Sequence, residues 1–152
     1  GYTQYEISAY AHVGKQCRHN LNYWQFGDYL GIGAGAHDKI TDMALQTITR
    51  CWKLKHPDAY LDNAATEQRV AGTRILSQDD TALEFMLNAL RLTSGFNSDL
   101  FQQHTGLPLS GVEAAMQKAE SKSWLVRNRG HIRPTEEGQR FHNDLVTLFF
   151  PT

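Results

Sequence analysis

A histidine, two aromatic residues and a glycine-rich stretch lie close together near the start of this sequence. Residues 19–24 read His-Asn-Leu-Asn-Tyr-Trp, and residues 31–37 read Gly-Ile-Gly-Ala-Gly-Ala-His. A flat aromatic ligand with a metal at its centre needs an imidazole for the metal, rings that stack on it, and backbone without bulky side chains. We therefore expect the function of the chain to depend on this segment.

Residues 19–24 allow two interpretations. If the segment is helical, His19 and Tyr23 share one face and Trp24 lies beside them. A neutral imidazole is a ligand of haem iron, and Tyr or Trp can stack on a porphyrin or bind its propionates. In the alternative, Tyr23 and Trp24 are core residues and His19 is a polar cap. Composition alone favours this alternative.

The glycine-rich segment follows a predicted short strand at residues 28–33. Glycines at this place permit positive φ and a close approach of the backbone to a ligand. The spacing is G-x-G-x-G and differs from the G-x-G-x-x-G pattern of dinucleotide-binding loops. The sequence therefore leaves open whether residues 31–37 contact a cofactor or form a tight turn.

Cysteine content restricts the metal chemistry. The chain has two cysteines, Cys17 and Cys51, which is no disulfide framework and favours a reducing, cytoplasmic location. Two thiolates cannot hold an iron–sulfur cluster of the usual kind. A zinc site from Cys17, His19, His37 and Cys51 is disfavoured, because their spacing matches no zinc pattern.

The overall composition excludes several function classes. A chain of 152 residues forms one domain or two small ones. The net charge of −1 provides no general attraction to nucleic acid or to an anionic membrane. Neither a membrane-spanning apolar run nor a secretory signal is apparent.

The first half of the chain shows little helical period. Residues 4–11 alternate in character and predict one strand, and residues 50–55 predict another. Pro57 fits the first turn of a helix at residues 58–63. The composition changes at residues 72–79, where we predict a boundary.

The second half is more regular, and we predict three helices, a β-hairpin and a final helix. This order is typical of a winged-helix module. The supporting features are an apolar stripe at Leu83, Met86, Leu87 and Leu90 after Asp79 or Asp80, a helix from Ser98 to Gly106 after a stop at Gly95, a capping box from Ser110 to Glu113 before Val112, Met116 and Ala119, a turn at residues 128–130, and a stripe of Phe141, Leu145, Leu148 and Phe149 after Pro134.

A winged-helix module raises the alternative of DNA binding. The charges of the usual recognition helix, residues 111–122, cancel, whereas the hairpin at residues 124–133 is basic. Because the segment from Asp79 onward is slightly acidic overall, a structural or docking role is favoured over phosphate recognition.

Several segments in register resemble one known family. They are residues 5–11, 17–24, 27–37, 55–61, 84–92 and 134–146. Together they resemble the C-terminal part of the radical S-adenosylmethionine family of HemW haem chaperones and oxygen-independent coproporphyrinogen III oxidases. The resemblance implies an α+β fold. Residues 1–74 would be the C-terminal end of a partial (β/α) barrel plus a linker, beginning at about its last strand, Tyr5–Ala11, and residues 75–152 a winged-helix-like domain.

The resemblance also implies roles for particular residues. His19, Asn20, Tyr23 and Trp24 match the family's haem-binding motif, with His19 as candidate iron ligand. Gly33, Ala34, Gly35 and His37 correspond to the vicinity of S-adenosylmethionine. Val13 and Asp38 depart from residues that are frequent in relatives, proline and glycine. The [4Fe–4S] cluster loop of the family is absent from this chain.

The expected function is that of a fragment of a haem chaperone, which binds haem and delivers it to haem-requiring proteins. The alternatives are a fragment of an oxygen-independent coproporphyrinogen III oxidase of porphyrin biosynthesis and a winged-helix DNA-binding module. Without cluster ligands, the chain is expected to be catalytically inactive alone. The unpaired edge of Tyr5–Ala11 is expected to pair with a second chain, giving a dimer, or with a rearranged part of its own chain.

Overall fold

A computed structural model describes residues 1–151 and shows an α+β fold. The strands are β1 (Thr3–Glu6), β2 (Ala9–Ala11), β3 (His37–Asp42), β4 (Thr47–Lys53), β5 (Val70–Ile75), β6 (Phe96–Asn97), β7 (Leu125–Asn128) and β8 (His131–Pro134). The helices are α1 (Arg18–Trp24), α2 (Pro57–Asn63), α3 (Gln78–Ala89), α4 (Ser98–Thr105), α5 (Glu113–Ser121), α6 (Glu136–Arg140) and α7 (His142–Thr147). Short 3₁₀ turns occupy Glu67–Arg69 and Leu109–Val112.

The chain folds into two compact units. The first combines residues 1–27 with residues 78–152, and the second consists of residues 28–77. The predicted domains, residues 1–74 and 75–152, refer to a longer parent protein and stay a prediction. In this chain, the segment that carries residues 19–24 packs with the C-terminal elements.

An aromatic cluster forms the centre of the first unit. Phe85 of α3 is fully buried and meets Phe26, Phe96 and Phe101 edge to face, at ring-centroid distances of 5.7, 5.1 and 5.0 Å. Such contacts add to the free energy gained from burying the rings. Because Phe26 follows α1 directly, this cluster attaches the end of α1 to the core.

The buried face of α3 differs in part from the predicted stripe. Met86 and Leu90 are buried as predicted, whereas Leu83 and Leu87 are only half-buried. The helix is rotated so that Phe85 and Ala89 face the interior. A large ring at position 85 buries more apolar surface than the leucines that flank it.

The strand predicted at residues 4–11 is in fact a β-hairpin. β1 and β2 are antiparallel, with an irregular register between Gln4 and Glu6. The polar residue type of Glu6 predicts an exposed side chain, but this side chain is 1% exposed. The alternation of residues 4–11 therefore did not reveal the turn. The Glu6 carboxylate accepts hydrogen bonds from Ser8 Oγ at 2.7 Å and Arg91 Nη2 at 3.0 Å. β1 thus pairs within its own chain, and pairing with a second chain stays a prediction.

The predicted hairpin near the C-terminus is confirmed. β7 and β8 are joined by Arg129 and Gly130, which have φ of 50° and 81°. A two-residue hairpin turn requires positive φ at both positions if its twist is to match that of the strands. Arg127 of β7 binds Glu113 at 2.7 Å and Glu120 at 2.6 Å, and so ties the hairpin to α5. α4 ends at Gly106 as predicted.

Two predicted helix features in this unit are wrong. The capping box at Ser110 does not form, because residues 109–112 make a 3₁₀ turn and the Glu113 carboxylate is held by Arg127. The final helix breaks at Phe141, which has φ −101° and ψ 35° and is 47% exposed. Thr135 caps the first piece by accepting a hydrogen bond from Gly138 N, while Leu145 and Phe149 are buried as predicted.

The second unit contains a three-stranded antiparallel sheet in the order β3–β4–β5. The strand predicted at residues 50–55 overlaps β4, and α2 begins at Pro57 close to its predicted start. The strand predicted at residues 28–33 is wrong, since only Tyr29 forms a bridge there, with Lys39. β3 was missed because most of its residues are polar, and β5 because Gly72 and Arg74 interrupt its apolar residues.

Among residues 1–151, none of the helices has the length and apolar character that crossing a bilayer requires.

Gly95 and Gly106 provide a matched test of packing in the first unit. Both have positive φ, 72° and 70°, but a Cβ at Gly95 would lie 2.0 Å from Ile132 O, whereas a Cβ at Gly106 would meet open space. We expect Gly106→Ala to lower the free energy of unfolding by about 1 kcal/mol, the cost of left-handed backbone. Gly95→Ala should cost roughly 1–3 kcal/mol more, because the β8 backbone must move. Urea unfolding of both variants measures the difference, and equal losses would contradict it.

His142 should make the stability of the first unit pH-dependent. Burial lowers the pKa of its imidazole and the positive charge of Arg91 lowers it further, against an opposing effect of Glu6. The unfolded chain therefore takes up a proton near pH 6.5 that the folded chain resists. The contribution of the neutral His142 to the free energy of unfolding is complete above that pH and is lost as the pH falls towards the lowered pKa. The free energy of unfolding then changes by at most about 1.4 kcal/mol per pH unit.

Unfolding of the wild type and of His142→Gln between pH 7.5 and 5 tests this expectation. The wild type should lose more stability on acidification than the variant, because the amide does not titrate. Parallel pH profiles would show that His142 does not contribute.

Candidate functional site

Residues 19–24 lie on α1, which brings His19 and Tyr23 together. The two residues are one helical turn apart, and their ring centroids are 4.8 Å apart with the ring planes at 85°. His19 is exposed and Tyr23 is half-buried. The edge-to-face contact holds the imidazole on the surface beside the phenol ring, where a flat ligand with a metal at its centre can approach the imidazole nitrogen.

Trp24 points towards the body of the first unit. The guanidinium carbon of Arg91 lies 4.2 Å from its ring centroid, a cation–π contact that covers one face of the indole. The indole Nε1 is buried and has no hydrogen-bond partner among residues 1–151. One face of Trp24 is therefore occupied by the protein itself.

Asn20 also makes a contact within the unit. Its Nδ2 donates a hydrogen bond to Tyr5 Oη at 3.2 Å, which links α1 to β1. Asn20 and Trp24 are four residues apart on the helix, as are His19 and Tyr23. Asn20 and Trp24 thus attach the helix, and the contact of His19 with the half-buried Tyr23 leaves the imidazole exposed.

The glycine-rich segment, residues 31–37, belongs to the second unit and adopts a turn. Gly33 and Gly35 have φ of 112° and 69°. The amide of Gly35 donates to Leu54 O at 2.8 Å, and the amide of Gly33 to Tyr60 Oη at 3.2 Å. Because both amides donate within the unit, neither is available to donate a hydrogen bond to a ligand. Ala34 and His37 are exposed.

A buried ion pair fixes this turn. Asp38 Oδ2 accepts a hydrogen bond from Lys53 Nζ at 2.5 Å, and Oδ1 accepts one from Gly31 N. Burial alone would raise the pKa of the Asp38 carboxyl, but the bonds from Lys53 and Gly31 outweigh it and lower the pKa. The aspartate that departs from the family pattern is thus the residue that anchors the start of the loop.

Arg91, Lys53 and the ion pair of the buried Lys39 with Asp28 were not predicted from the sequence. Lys39 is 1% exposed, and its Nζ lies 2.8 Å from Asp28 Oδ1. The sequence signal for Asp38 is its place next to His37, where glycine is frequent in relatives. Arg91 carried no signal, because its partner Glu6 lies 85 positions away in the sequence.

Among residues 1–151, the metal-ligating residue types do not assemble into a cluster. In the described part of the chain, no group of three or more His, Cys, Asp or Glu side chains could hold a metal ion. Cys17 and His19 lie in the first unit, and His37 and Cys51 in the second. Since the sequence has two cysteines, it does not fit the [4Fe–4S] cluster of the family that it resembles.

Comparisons with known proteins agree with the resemblance. The model of the HemN C-terminal domain family matches residues 76–141. Heme chaperone HemW of Haemophilus influenzae is 42% identical over 98% of this chain and 38% of its own length, and that of Escherichia coli is 38% identical over the same shares. Heme chaperone HemW of Bacillus subtilis is 29% identical over 98% of the chain.

A solved structure shares the fold. Coproporphyrinogen III oxidase (HemN) from Escherichia coli, described as a radical SAM enzyme, superposes with a TM-score of 0.63 at 13% identity, over 98% of this chain and 37% of its own. The chain spans about two fifths of the length of the curated relatives that it matches. The chain is thus similar over nearly its whole length to the heme chaperones HemW, and its residues 76–141 match the HemN C-terminal domain family.

Proposed function

We propose that the protein binds haem at the surface of α1 and belongs to a parent protein that delivers haem to haem-requiring proteins. His19 is the candidate ligand of the haem iron, and Tyr23 forms a wall beside it. Asn20 and Trp24 complete the motif by holding the helix in place. The observation that carries the proposal is the exposed imidazole of His19, packed edge to face on Tyr23 at 4.8 Å.

The chemistry of these groups supports haem as the ligand. A neutral imidazole binds haem iron, and an adjacent phenol ring can pack on the macrocycle or bind a propionate. A carrier has to release its cargo, so moderate affinity is appropriate. A micromolar dissociation constant corresponds to about −8 kcal/mol, which one iron–imidazole bond together with ring packing can supply.

The family relationship supports the same direction. The relatives that match nearly the whole chain are named heme chaperones. The proposal therefore includes haem delivery, haem-requiring recipient proteins and a cytoplasmic location. The coproporphyrinogen-oxidising alternative rests on a fold likeness at 13% identity and on no feature of this site.

The finer architecture belongs to the proposal as well. We infer that residues 75–152 form the winged-helix-like domain of the family and that the preceding residues complete a partial barrel in the parent. Gly33, Ala34, Gly35 and His37 would lie near S-adenosylmethionine there, which would supply radical chemistry together with a cluster that this chain cannot hold. Within this chain, the backbone of the turn would form part of the wall of that site, and the exposed His37 would provide a polar group.

Arg127 of the basic hairpin does not favour the DNA-binding alternative. Arg127 is held by the carboxylates of Glu113 and Glu120, at 2.7 and 2.6 Å. A guanidinium that is neutralised by two carboxylates has little left to offer a phosphate.

Replacing His19 tests the proposed iron ligand directly. We expect His19→Ala to lower haem affinity at least about tenfold and to shift the Soret maximum, because the iron loses its imidazole. Haem titration followed by absorbance measures both. His56→Ala is the matched control, because the His56 side chain is 75% exposed and lies in the other compact unit. An unchanged spectrum and affinity in His19→Ala would remove His19 from the proposal.

The role of Tyr23 is separable from that of His19. Tyr23→Phe keeps the ring against the imidazole and should retain haem affinity within about twofold, whereas Tyr23→Ala should weaken binding several-fold, on the order of 1 kcal/mol. Both variants should keep the Soret maximum of the wild type. If Tyr23→Phe binds as weakly as Tyr23→Ala, the hydroxyl and not the ring is the contributing group.

A further inference from the structure

The orientation of α1 depends on contacts outside the helix, because a helix of this length is not stable by itself. It is seven residues long, and all its residues are exposed or half-buried. Isolated helices of this length are unstable in water. Contacts with the rest of the first unit must therefore fix the helix, and with it the direction in which His19 and Tyr23 point.

We propose that Arg91 is a positioning residue for the haem-binding surface: its guanidinium, held by Glu6 and Ser8, fixes the indole of Trp24 and thereby the orientation of α1. This inference rests on the proposed function and extends it to a residue outside the motif. Arg91 acts through Trp24 and is not an iron ligand.

Hydrogen bonds from a single nitrogen fix the guanidinium plane. Arg91 Nη2 donates to Glu6 Oε2 at 3.0 Å and to Ser8 Oγ at 3.1 Å. Ser8 Oγ in turn donates to Glu6 Oε1 at 2.7 Å. Because the guanidinium is planar, these contacts define which way its flat face is turned. The central carbon of the guanidinium lies over the ring of Trp24, 4.2 Å from its centroid.

The main chain around Arg91 is fixed as well. Ile7 N donates to Arg91 O, and Thr93 N donates to Tyr5 O, each at 3.1 Å. Tyr5 is also the residue whose hydroxyl accepts the bond from Asn20 of α1. Both polar anchors of the helix therefore lead to the same place, where β1 runs beside residues 91–93.

The indole is held by its face and not by its N–H. Trp24 Nε1 is buried, and the described residues offer it no acceptor. A flat cation on the ring is thus the polar contact that orients the side chain. Lysine carries the same charge and can also contact a ring face, but its ammonium lacks the planar group that lies over the indole while it bonds Glu6 and Ser8.

Arg91→Lys tests the proposal through haem binding. Haem affinity should fall about fivefold, the loss expected for a partly desolvated cation–π contact, while the Soret maximum stays that of the wild type. In a Trp24→Leu background the same change should alter affinity less than about twofold, because Arg91 acts through the indole. Arg140→Lys, an exposed arginine of α6, is the control and should leave affinity unchanged.

Two results would overturn the proposal. One is unchanged affinity in Arg91→Lys. The other is an equal loss in the wild-type and Trp24→Leu backgrounds, which would indicate an effect that bypasses the indole. Circular dichroism at the working temperature, together with a thermal unfolding curve, shows whether each variant is folded.

A second measurement does not need haem. In ¹⁵N–¹H spectra, Arg91→Lys should shift the indole signal of Trp24 and the amide signals of α1, and leave the indole signals of Trp52 and Trp124 in place. An unshifted Trp24 signal would overturn the positioning role. If the wild type bound no haem, the proposed function would fail, and these spectra alone would still decide whether Arg91 orients α1.

Discussion

The buried carboxylate of Glu6 is the constraint from which the arrangement of the first unit follows. A charge that is 1% exposed must have a cation and hydrogen bonds, because leaving it unpaired costs several kcal/mol. Arg91 and Ser8 meet this need. The requirement joins the first residues of the chain to the segment after α3, and it leaves the guanidinium over the ring of Trp24. The helix that carries His19 is thus oriented by an ion pair in which it takes no part.

The second unit uses the same device for its own loop. Asp38 is buried with Lys53, and Asp28 binds the buried Lys39. Buried ion pairs are weak evidence for stability, since desolvation offsets much of their attraction, but one partner does dictate where the other must lie. Here they fix the backbone before and after the glycine turn. Both candidate segments, residues 19–24 and 31–37, therefore depend on polar groups that lie outside the motifs themselves.

Local signals were sufficient where a short stretch of chain decides its own shape. The turn at Arg129 and Gly130, the end of α4 at Gly106 and the start of α2 at Pro57 were predicted, because each depends on the backbone preferences of one or two residues. Where a distant partner decides, prediction was wrong. The alternation of residues 4–11 hid a hairpin that turns Glu6 inward, and the expected box at Ser110 lost its glutamate to Arg127.

The sequence by itself determined the likeness to the heme chaperones HemW along nearly the whole chain, and the helical spacing that sets His19 and Tyr23 on one face. Both follow from residue types and their order. Only the tertiary structure decided that Asn20 and Trp24 attach the helix, and that Arg91 covers the indole. The physical reason is that such contacts join residues far apart in the chain, as Glu6 and Arg91 are at 85 positions. No local pattern records a contact that forms only when the core closes.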